Sequence, residues 1–302
     1  MSLPIKELIN IGTKQLEEAG VSDAAADARE LYCFMKGIDR AALILRWQDV
    51  LQDNQCEEYF KLVGQRASRV PLQHITGRQE FMGLPFKVND KVLIPRQDTE
   101  TLVEDAIELM NKGTLRGQAY TDSLTRGADV LDLCCGSGAI GISLAKLARG
   151  AKVVCSDISE EAIKIAQQNA QLNNCRSVKF EKSDVFDVFR RKTGNKKFNL
   201  IISNPPYVET GVIQSLQPEV RDHEPAMALD GGDDGLDFYR IIAQQAADHL
   251  KKDGVLMLEI GFDQKEAVKE LLRETARFEK IIGLTDLTGK DRIVVATLTT
   301  GK

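Results

Sequence analysis

The sequence predicts an α/β protein in which a doubly wound, Rossmann-like sheet follows a small N-terminal helical domain. Three observations carry this expectation. From Ala128 onward, short apolar runs alternate with amphipathic segments, as parallel strands covered by helices on both faces require. Gly136, Gly138 and Gly141 fall where the first of those strands meets its helix. The residues up to Gly77, by contrast, carry only helical periodicity.

Ser2 with Pro4 begins a first helix, given an apolar side by Leu8, Ile9, Ile11 and Leu16 and stopped by Gly20. Ser22 can cap the next, where Ala25, Ala28, Leu31, Tyr32 and Met35 recur until Gly37. Segments 41–47 and 56–70 supply two more, the last ended by Pro71. In Phe81-Met82-Gly83-Leu84-Pro85-Phe86-Lys87-Val88, turn residues between apolar stretches predict a hairpin linker. A helix is expected over 99–111 and a flexible loop over the polar, glycine-containing 113–127. Strands are then expected at 130–133, 152–156, 178–181, 198–203 and 254–260, with a closing pair at 281–285 and 292–298. Helices are expected at 139–148, 160–172, 237–250 and 263–276. The division that follows is a helical domain at 1–77, a hairpin linker at 78–97 and a catalytic domain at 98–302.

Composition narrows the function classes. At 302 residues, with 43% hydrophobic and 28% charged residues, the chain suits two globular domains. No apolar run approaches the ~20 residues of a membrane span, and the N-terminus lacks a signal peptide's apolar centre. A cytoplasmic location is expected. Six cysteines without a Cys-x-x-Cys pair read as free thiols in a reducing compartment. His74, His223 and His249 show no ligand spacing, so no metal is expected. A net charge of −5 argues against a large nucleic-acid footprint. The short basic runs Arg190-Arg191-Lys192 and Lys196-Lys197 read as a solvated loop.

The candidate cofactor residues begin in Asp132-Leu133-Cys134-Cys135-Gly136-Ser137-Gly138-Ala139-Ile140-Gly141, where glycines let backbone approach a ligand at the carboxyl end of a strand. The spacing of Gly136, Gly138 and Gly141 also fits a nicotinamide dinucleotide site. Asp157 ends the second strand, roughly twenty positions on, and can accept from a ribose diol in either case. Asp184, in Lys182-Ser183-Asp184-Val185-Phe186, separates the two. An acid there resembles the residue that accepts from the adenine amino group in class I S-adenosylmethionine-dependent methyltransferases. For both acids the plain structural alternative is a helix cap. What that resemblance implies, carried over by position, is that Cys134, Cys135, Gly136, Ser137, Gly138, Asp157, Asp184, Val185 and Asn204 contact S-adenosyl-L-methionine.

After the fourth strand comes Asn204-Pro205-Pro206-Tyr207, the candidate catalytic motif. Its prolines donate no backbone hydrogen bond and fix φ, so the turn is stiff and its carbonyls are free to accept. Asn204 adds a side-chain carbonyl and Tyr207 an aromatic face. The result is a planar slot for a substrate –NH2 group. Accepting from both N–H bonds returns electron density to a delocalised nitrogen and aims it at a sulfonium methyl, so positioning and electrostatics carry the catalysis. The motif suits planar amino or amide nitrogens and does not separate glutamine from adenine.

At this point the sequence resembles the release factor glutamine methyltransferases of the PrmC/HemK type. The likeness runs through Pro71-Leu72-Gln73-His74-Ile75-Thr76-Gly77, Phe81-Met82-Gly83-Leu84-Pro85-Phe86 and Leu93-Ile94-Pro95-Arg96-Gln97-Asp98-Thr99-Glu100. It continues in the Asn204 motif, Arg221 with Glu224-Pro225, and Leu258-Glu259-Ile260-Gly261. The resemblance implies a helical N-terminal domain that contacts class I peptide chain release factors. It also implies a catalytic domain that methylates the glutamine of their Gly-Gly-Gln loop. Arg96 and Glu100 are expected to shape the cleft, or else to form an exposed ion pair. Cys134 departs from the family's usual glycine, and a larger side chain there would tighten the loop or narrow the approach to the cofactor. Cys134 and Cys135 read as small hydrophobes rather than reactive thiols.

The first alternative is an adenine N6-methyltransferase acting on a flipped base of nucleic acid. Net charge and the Pro71 to Glu100 stretch count against it. A ribosomal-protein glutamine methyltransferase is the near neighbour. A non-catalytic binding protein or a nicotinamide oxidoreductase would leave Asn204-Pro205-Pro206-Tyr207 without a purpose.

Overall fold

The computed structural model describes residues 3–191 and 196–299. Residues 192–195 of the expected basic loop, and Ser2 at the expected start of the first helix, lie outside the described residues. The chain divides into two units, Met1–Arg78 with Leu216–His223, and Gln79–Ser215 with Glu224–Lys302. Among the described residues, no helix is long and apolar enough to cross a membrane.

In the first unit a short pair, β1 (Leu3–Pro4) and β2 (Val50–Leu51), accompanies α1 (Ile5–Glu18), α2 (Ala24–Lys36), α3 (Arg40–Leu45), α4 (Asp53–Ala67) and α5 (Leu72–Thr76). Ile5, Leu8, Ile9, Gly12 and Leu16 form one buried stripe of α1, at the spacing that places side chains on one helical face. Burying a leucine such as Leu16 contributes about 2 kcal/mol. Gly12 is needed for space: a methyl group there would overlap the Tyr59 hydroxyl, which donates to Ala28 O at 3.1 Å. One tyrosine from α4 thereby joins α1 and α2. α2 stops at Gly37, whose φ of 61° is the left-handed conformation glycine adopts without steric cost.

The second unit opens with the hairpin β3 (Arg78–Phe81) and β4 (Leu84–Lys87), turned by Met82 and Gly83 with φ of 54° and 69°. Phe81 and Phe86 are buried in the core on one face of the main sheet. Then come α6 (Gln97–Lys112) and a small hairpin, β5 (Thr114–Leu115) with β6 (Gln118–Ala119). The loop expected to be flexible at 113–127 is therefore ordered. Glu108 of α6 accepts from Thr114 Oγ1 (2.6 Å), Arg116 N (3.1 Å) and Gly117 N (2.8 Å), and Leu124 is buried.

The remaining elements alternate: β7 (Ala128–Leu133), α7 (Ala139–Leu147), β8 (Ala151–Asp157), α8 (Glu160–Leu172), β9 (Lys179–Lys182), α9 (Asp187–Arg191) and β10 (Phe198–Ser203). A 3-10 turn at Thr210–Ser215, α10 (Pro218–Arg221) and a second at Ala226–Ala228 follow. The chain ends with α11 (Asp237–His249), β11 (Leu250–Glu259), α12 (Lys265–Glu274), β12 (Phe278–Thr285) and β13 (Asp291–Leu298). The sheet order is β12-β13-β11-β10-β7-β8-β9, parallel except that β13 runs antiparallel to both its neighbours. The period of two divides the side chains: Val130, Leu200, Ile202 and Met257 face the core that contains α6, α7 and α8 residues. Leu131, Ile201, Leu256 and Val294 face the one built from α9, α11 and α12.

Candidate active site

Strand order reverses beside β7, with β8 and β9 on one side and β10 and β11 on the other. Two connections leaving such a point diverge over opposite faces of the sheet, which opens a crevice at the carboxyl ends of the strands. The crevice here is a cleft of 340 Å³. Cys134, following β7, and Asn204, following β10, flank it. Ser203 Oγ donates to Leu133 O at 2.6 Å and knits the two strand tips together.

The loop after β7 turns through left-handed residues: Cys134 at φ 59°, Gly136 at 52° and Gly138 at 77°. Cys135 N donates to Ser156 O and Gly136 N to Asp157 Oδ2, both at 2.9 Å, so the loop is laced to the tip of β8. Cys134, Cys135, Gly136 and Ser137 line the cleft, while Gly138 stands at the N-terminal cap of α7. A Cβ at Gly138 would come within 2.9 Å of Ile142 Cδ1 and 3.0 Å of Ala166 Cβ. Gly141 allows α7 to pack closely on the sheet, and its N–H donates to the buried Asp132 Oδ2 at 2.8 Å. Cys134 stands apart because a side chain in this conformation costs about 1–2 kcal/mol. Burial pushes the Cys134 thiol up; a hydrogen bond with Cys155, together with burial, does the same for Cys135. Both stay protonated near neutrality, as small hydrophobes rather than nucleophiles.

The acids after β8 and β9 both line the cleft. Asp157 Oδ1 accepts from Ser159 N at 2.9 Å, while the cap of α8 is Ser159 Oγ, accepting from Ala162 N at 3.2 Å. Burial pushes the Asp157 carboxyl up, against the backbone N–H groups that favour its charge. Beside Asp184, the hydroxyl that accepts from Val188 N at 3.1 Å belongs to Ser183. Val185 has a φ of 41°, an outlier for a β-branched residue, and this strain sits on the cleft wall. Ile158, 48% exposed, adds an apolar wall.

Asn204 and Pro206 line the cleft, and Pro205 is buried behind them. Asn204 Nδ2 donates to Thr99 Oγ1 at 3.2 Å, which leaves Oδ1 as the atom available to a ligand. Tyr207 departs from the expected slot: its ring packs on the second core and is not among the cleft-lining residues. Its hydroxyl lies 3.5 Å from Glu259 Oε1. Its carbonyl, expected to be free, accepts from Gln264 Nε2 at 3.0 Å. Gly231 presses on the same backbone, where a Cβ would come within 2.7 Å of Tyr207 Cα. The turn is thus held from behind as well as stiffened by its prolines.

Arg96 lines the cleft, and its Nη2 lies 2.6 and 2.7 Å from the two oxygens of Glu224, whose side chain is 1% exposed. Burial pushes the Glu224 carboxyl up, and Arg96 opposes this. The pair holds the segment that contributes Pro225, Met227 and Ala228 to the cleft. Glu100 acts elsewhere than expected, accepting from Met82 N at 2.5 Å to fix the β3–β4 turn. Thr99, Gln264, Ile158 and Phe238 were not singled out from the sequence. Thr99 follows Arg96 within the quoted Leu93 to Glu100 stretch, and Gln264 lies three residues beyond Gly261, so those motifs were the available signals. Among the described residues, no group of three or more His, Cys, Asp or Glu is placed to hold a metal ion.

A family model described as PrmC N-terminal domain matches residues 7–77, and one described as Methyltransferase small domain matches residues 118–218. A release factor glutamine methyltransferase of Geobacter sulfurreducens is 39% identical over 290 residues, covering 96% of this chain and 95% of that protein. One from Clostridium acetobutylicum is 37% identical over 295 residues, covering 97% and 98%. The crystal structure of a release factor-specific protein-(glutamine-N5) methyltransferase from Alicyclobacillus acidocaldarius is 27% identical with a TM-score of 0.41, covering 71% of this chain and 100% of that one. At such identity over nearly the whole length of both bacterial relatives, the chain belongs to the release factor glutamine methyltransferase family.

Proposed function

We propose that this chain transfers the methyl group of S-adenosylmethionine to the side-chain amide nitrogen of the glutamine in the Gly-Gly-Gln loop of class I release factors. The observation that carries this reading is Asn204, held by Thr99 with its carbonyl available beside a cleft at the reversal of strand order.

The cleft fits the methyl donor. Asp157 takes backbone N–H groups from Gly136, Ser159 and Ile158, and a carboxylate's four lone-pair sites leave capacity for a ribose diol. Asp184 offers an acceptor for an adenine amino group, and Ile158 and Val185 give the same cleft apolar lining. Cys134 to Gly138 would bring backbone close to the amino-acid end. Bound there, S-adenosylmethionine supplies an electrophilic methyl on a sulfonium whose charge disappears as the carbon–sulfur bond breaks.

The protein's part is to hold the nucleophile. Asn204 Oδ1 accepts from the substrate –NH2, which restrains rotation of the amide and increases electron density on its nitrogen. Held by Asn204, the substrate nitrogen would present its lone pair to the methyl carbon, the carbon–sulfur pair would leave with a neutral thioether, and the displaced proton would go to water. The stiff turn at Pro205 and Pro206, tethered through Gln264, keeps Asn204 from following the substrate away from the donor.

The proposed division of labour is a recognition domain at 1–77, a hairpin linker at 78–97 and a catalytic domain at 98–302. The first of these would hold the body of the release factor. Six free thiols, five of them buried, suit the reducing cytoplasm. The test is mass spectrometry of a release factor incubated with the chain and labelled S-adenosylmethionine, beside a ribosomal-protein substrate and an adenine-containing oligonucleotide. Label on the Gly-Gly-Gln glutamine is expected; label confined to either other substrate overturns the assignment. A KM for a short Gly-Gly-Gln peptide as low as that for the intact factor would remove the recognition role of the helical domain.

A further inference from the structure

α8 carries a buried amide that methyl transfer itself does not call for. Asn169 is 0% exposed. Its Nδ2 donates to Ser137 O at 2.9 Å and to Lys87 O at 3.0 Å, while Oδ1 accepts from Lys87 N at 2.7 Å. Both N–H bonds meet carbonyls and Oδ1 meets a donor, so the network admits one orientation of the amide.

Part of this network docks the β3–β4 hairpin. Pro85 and Lys87 alternate along β4 and turn their backbone groups to one edge. Asn173, four residues beyond Asn169, donates to Pro85 O at 2.8 Å, so the two asparagines cover that edge as a neighbouring strand would. The other bond of Asn173 Nδ2 goes to Asn169 O at 3.0 Å. Of the two, among the described residues, only Asn169 extends to the loop after β7, and docking the hairpin does not require that bond.

Both segments lead to the cleft. Ser137 lines it, and Gly138 beside it lies close on Ala166 of α8. Past β4, Val88 and Val92 are buried with Ala162 and Ile165 of α8, and Val92, Leu93 and Arg96 line the cleft. We propose that Asn169 is a positioning residue for S-adenosylmethionine, fixing the glycine loop against the linker and thereby coupling donor binding to the hold on the linker. This rests on the reading of the cleft as the donor's site.

An amide bonded at three points resists displacement of either partner, so the loop meets the donor already in place and less ordering is needed on binding. The coupling is reciprocal. Whatever factor the Ser137 bond adds to donor affinity, the bound donor adds to the stability of that bond. Opening the Asn169 contacts in the bound chain then costs binding energy as well, so the Lys87 N–H that points at Asn169 exchanges with solvent more slowly.

The experiment compares Asn169→Asp and Asn173→Ala with the wild-type full chain, measuring S-adenosylhomocysteine affinity by calorimetry alongside KM and kcat. Asn169→Asp keeps the shape and the acceptor for Lys87 N but turns an oxygen toward two carbonyls. It should bind at least ~10-fold more weakly, with the KM for S-adenosylmethionine raised in step and kcat within about threefold. Asn173→Ala, which loosens the hairpin without touching Ser137, should bind within about twofold of wild type. A merely structural role would lower the active fraction, and with it the apparent kcat, at unchanged affinity. Wild-type affinity in Asn169→Asp overturns the proposal, as does equal weakening in both variants. In the wild-type chain, S-adenosylhomocysteine at ~100 times its Kd should slow exchange of the Lys87 amide at least ~5-fold. An unchanged rate overturns the proposal even if Asn169→Asp does not fold. A wild-type chain that fails to bind S-adenosylhomocysteine would remove the reading of the cleft itself; binding that Asn169→Asp leaves intact removes only the positioning role.

Discussion

Replacing Glu219 by glutamine should loosen the helical unit, although the residue lies 153 positions from its partner Arg66. Within that unit, Glu219 Oε1 is 2.9 Å from Arg66 Nη1, and Oε2 is 2.5 Å from Arg69 Nη2. Arg66 also reaches Asp27 at 2.7 Å and is 6% exposed, so its charge depends on these acids. Burial alone would raise the Glu219 carboxyl; hydrogen bonds from Arg69 and Arg66 outweigh it and hold it at about 2, against an ordinary 4.5. That difference corresponds to roughly 3 kcal/mol at ~1.4 kcal/mol per pH unit. With 15% of the Glu219 side chain and 24% of Arg69 exposed, screening reduces this to about 2 kcal/mol. Because the folded carboxyl titrates lower, this stability is complete above pH 4.5 and is lost as pH falls toward about 2. Trp47, the only tryptophan, packs against the core of the helical unit and reports its unfolding by fluorescence. In urea at pH 7, Glu219→Gln should lower stability by about 2 kcal/mol, the gap narrowing by about 0.5–1 kcal/mol at pH 4. An unchanged midpoint at pH 7, or a gap indifferent to pH, would refute the assignment of this stability to the Glu219 charge.

Asn204→Ala should lower kcat by about 10²–10³-fold, with cofactor affinity measured by calorimetry nearly intact; comparable losses in both would show that Asn204 serves the donor instead. Cys134→Gly should bind S-adenosylhomocysteine as well as the parent, because glycine relaxes a φ of 59°, whereas Cys134→Val should bind at least ~10-fold more weakly as a β-branched side chain distorts the loop. Arg96→Leu leaves the Glu224 carboxyl buried without its cation and should cost about 3 kcal/mol. Since burial already raises that carboxyl, the deficit should be largest in alkaline solution and shrink in acid as Glu224 takes up a proton. Thermal unfolding at two pH values checks it, and a constant deficit would show that Arg96 acts by packing alone.

Much of the second unit was legible because its signals are local. The continuous apolar run Leu200, Ile201 and Ile202 marks a strand buried on both faces, and a stretch such as Glu160–Leu172 shows the helical period. Glycines at 136 and 138 and prolines at 205 and 206 mark turns because their backbones permit or impose particular φ values. The segment 113–127 misled for a related reason. Its polar, glycine-containing composition suits a loose loop, yet Glu108 organises it through three hydrogen bonds that composition does not register.

What the sequence by itself determined, then, was the succession of strands and helices, the glycine loop, the Asn204 turn and, through longer motifs, the family. Only the tertiary structure decided that β7 and β10 lie side by side, which turns two distant loops into the walls of one cleft. It also decided that Leu216–His223 joins the helical unit and that Asn204 rests on a threonine 105 residues away. Backbone periodicity and turn chemistry act over a few residues and leave a pattern in the chain. The partner that completes a buried hydrogen bond or ion pair is selected by packing in three dimensions, where separation along the chain carries no information about proximity.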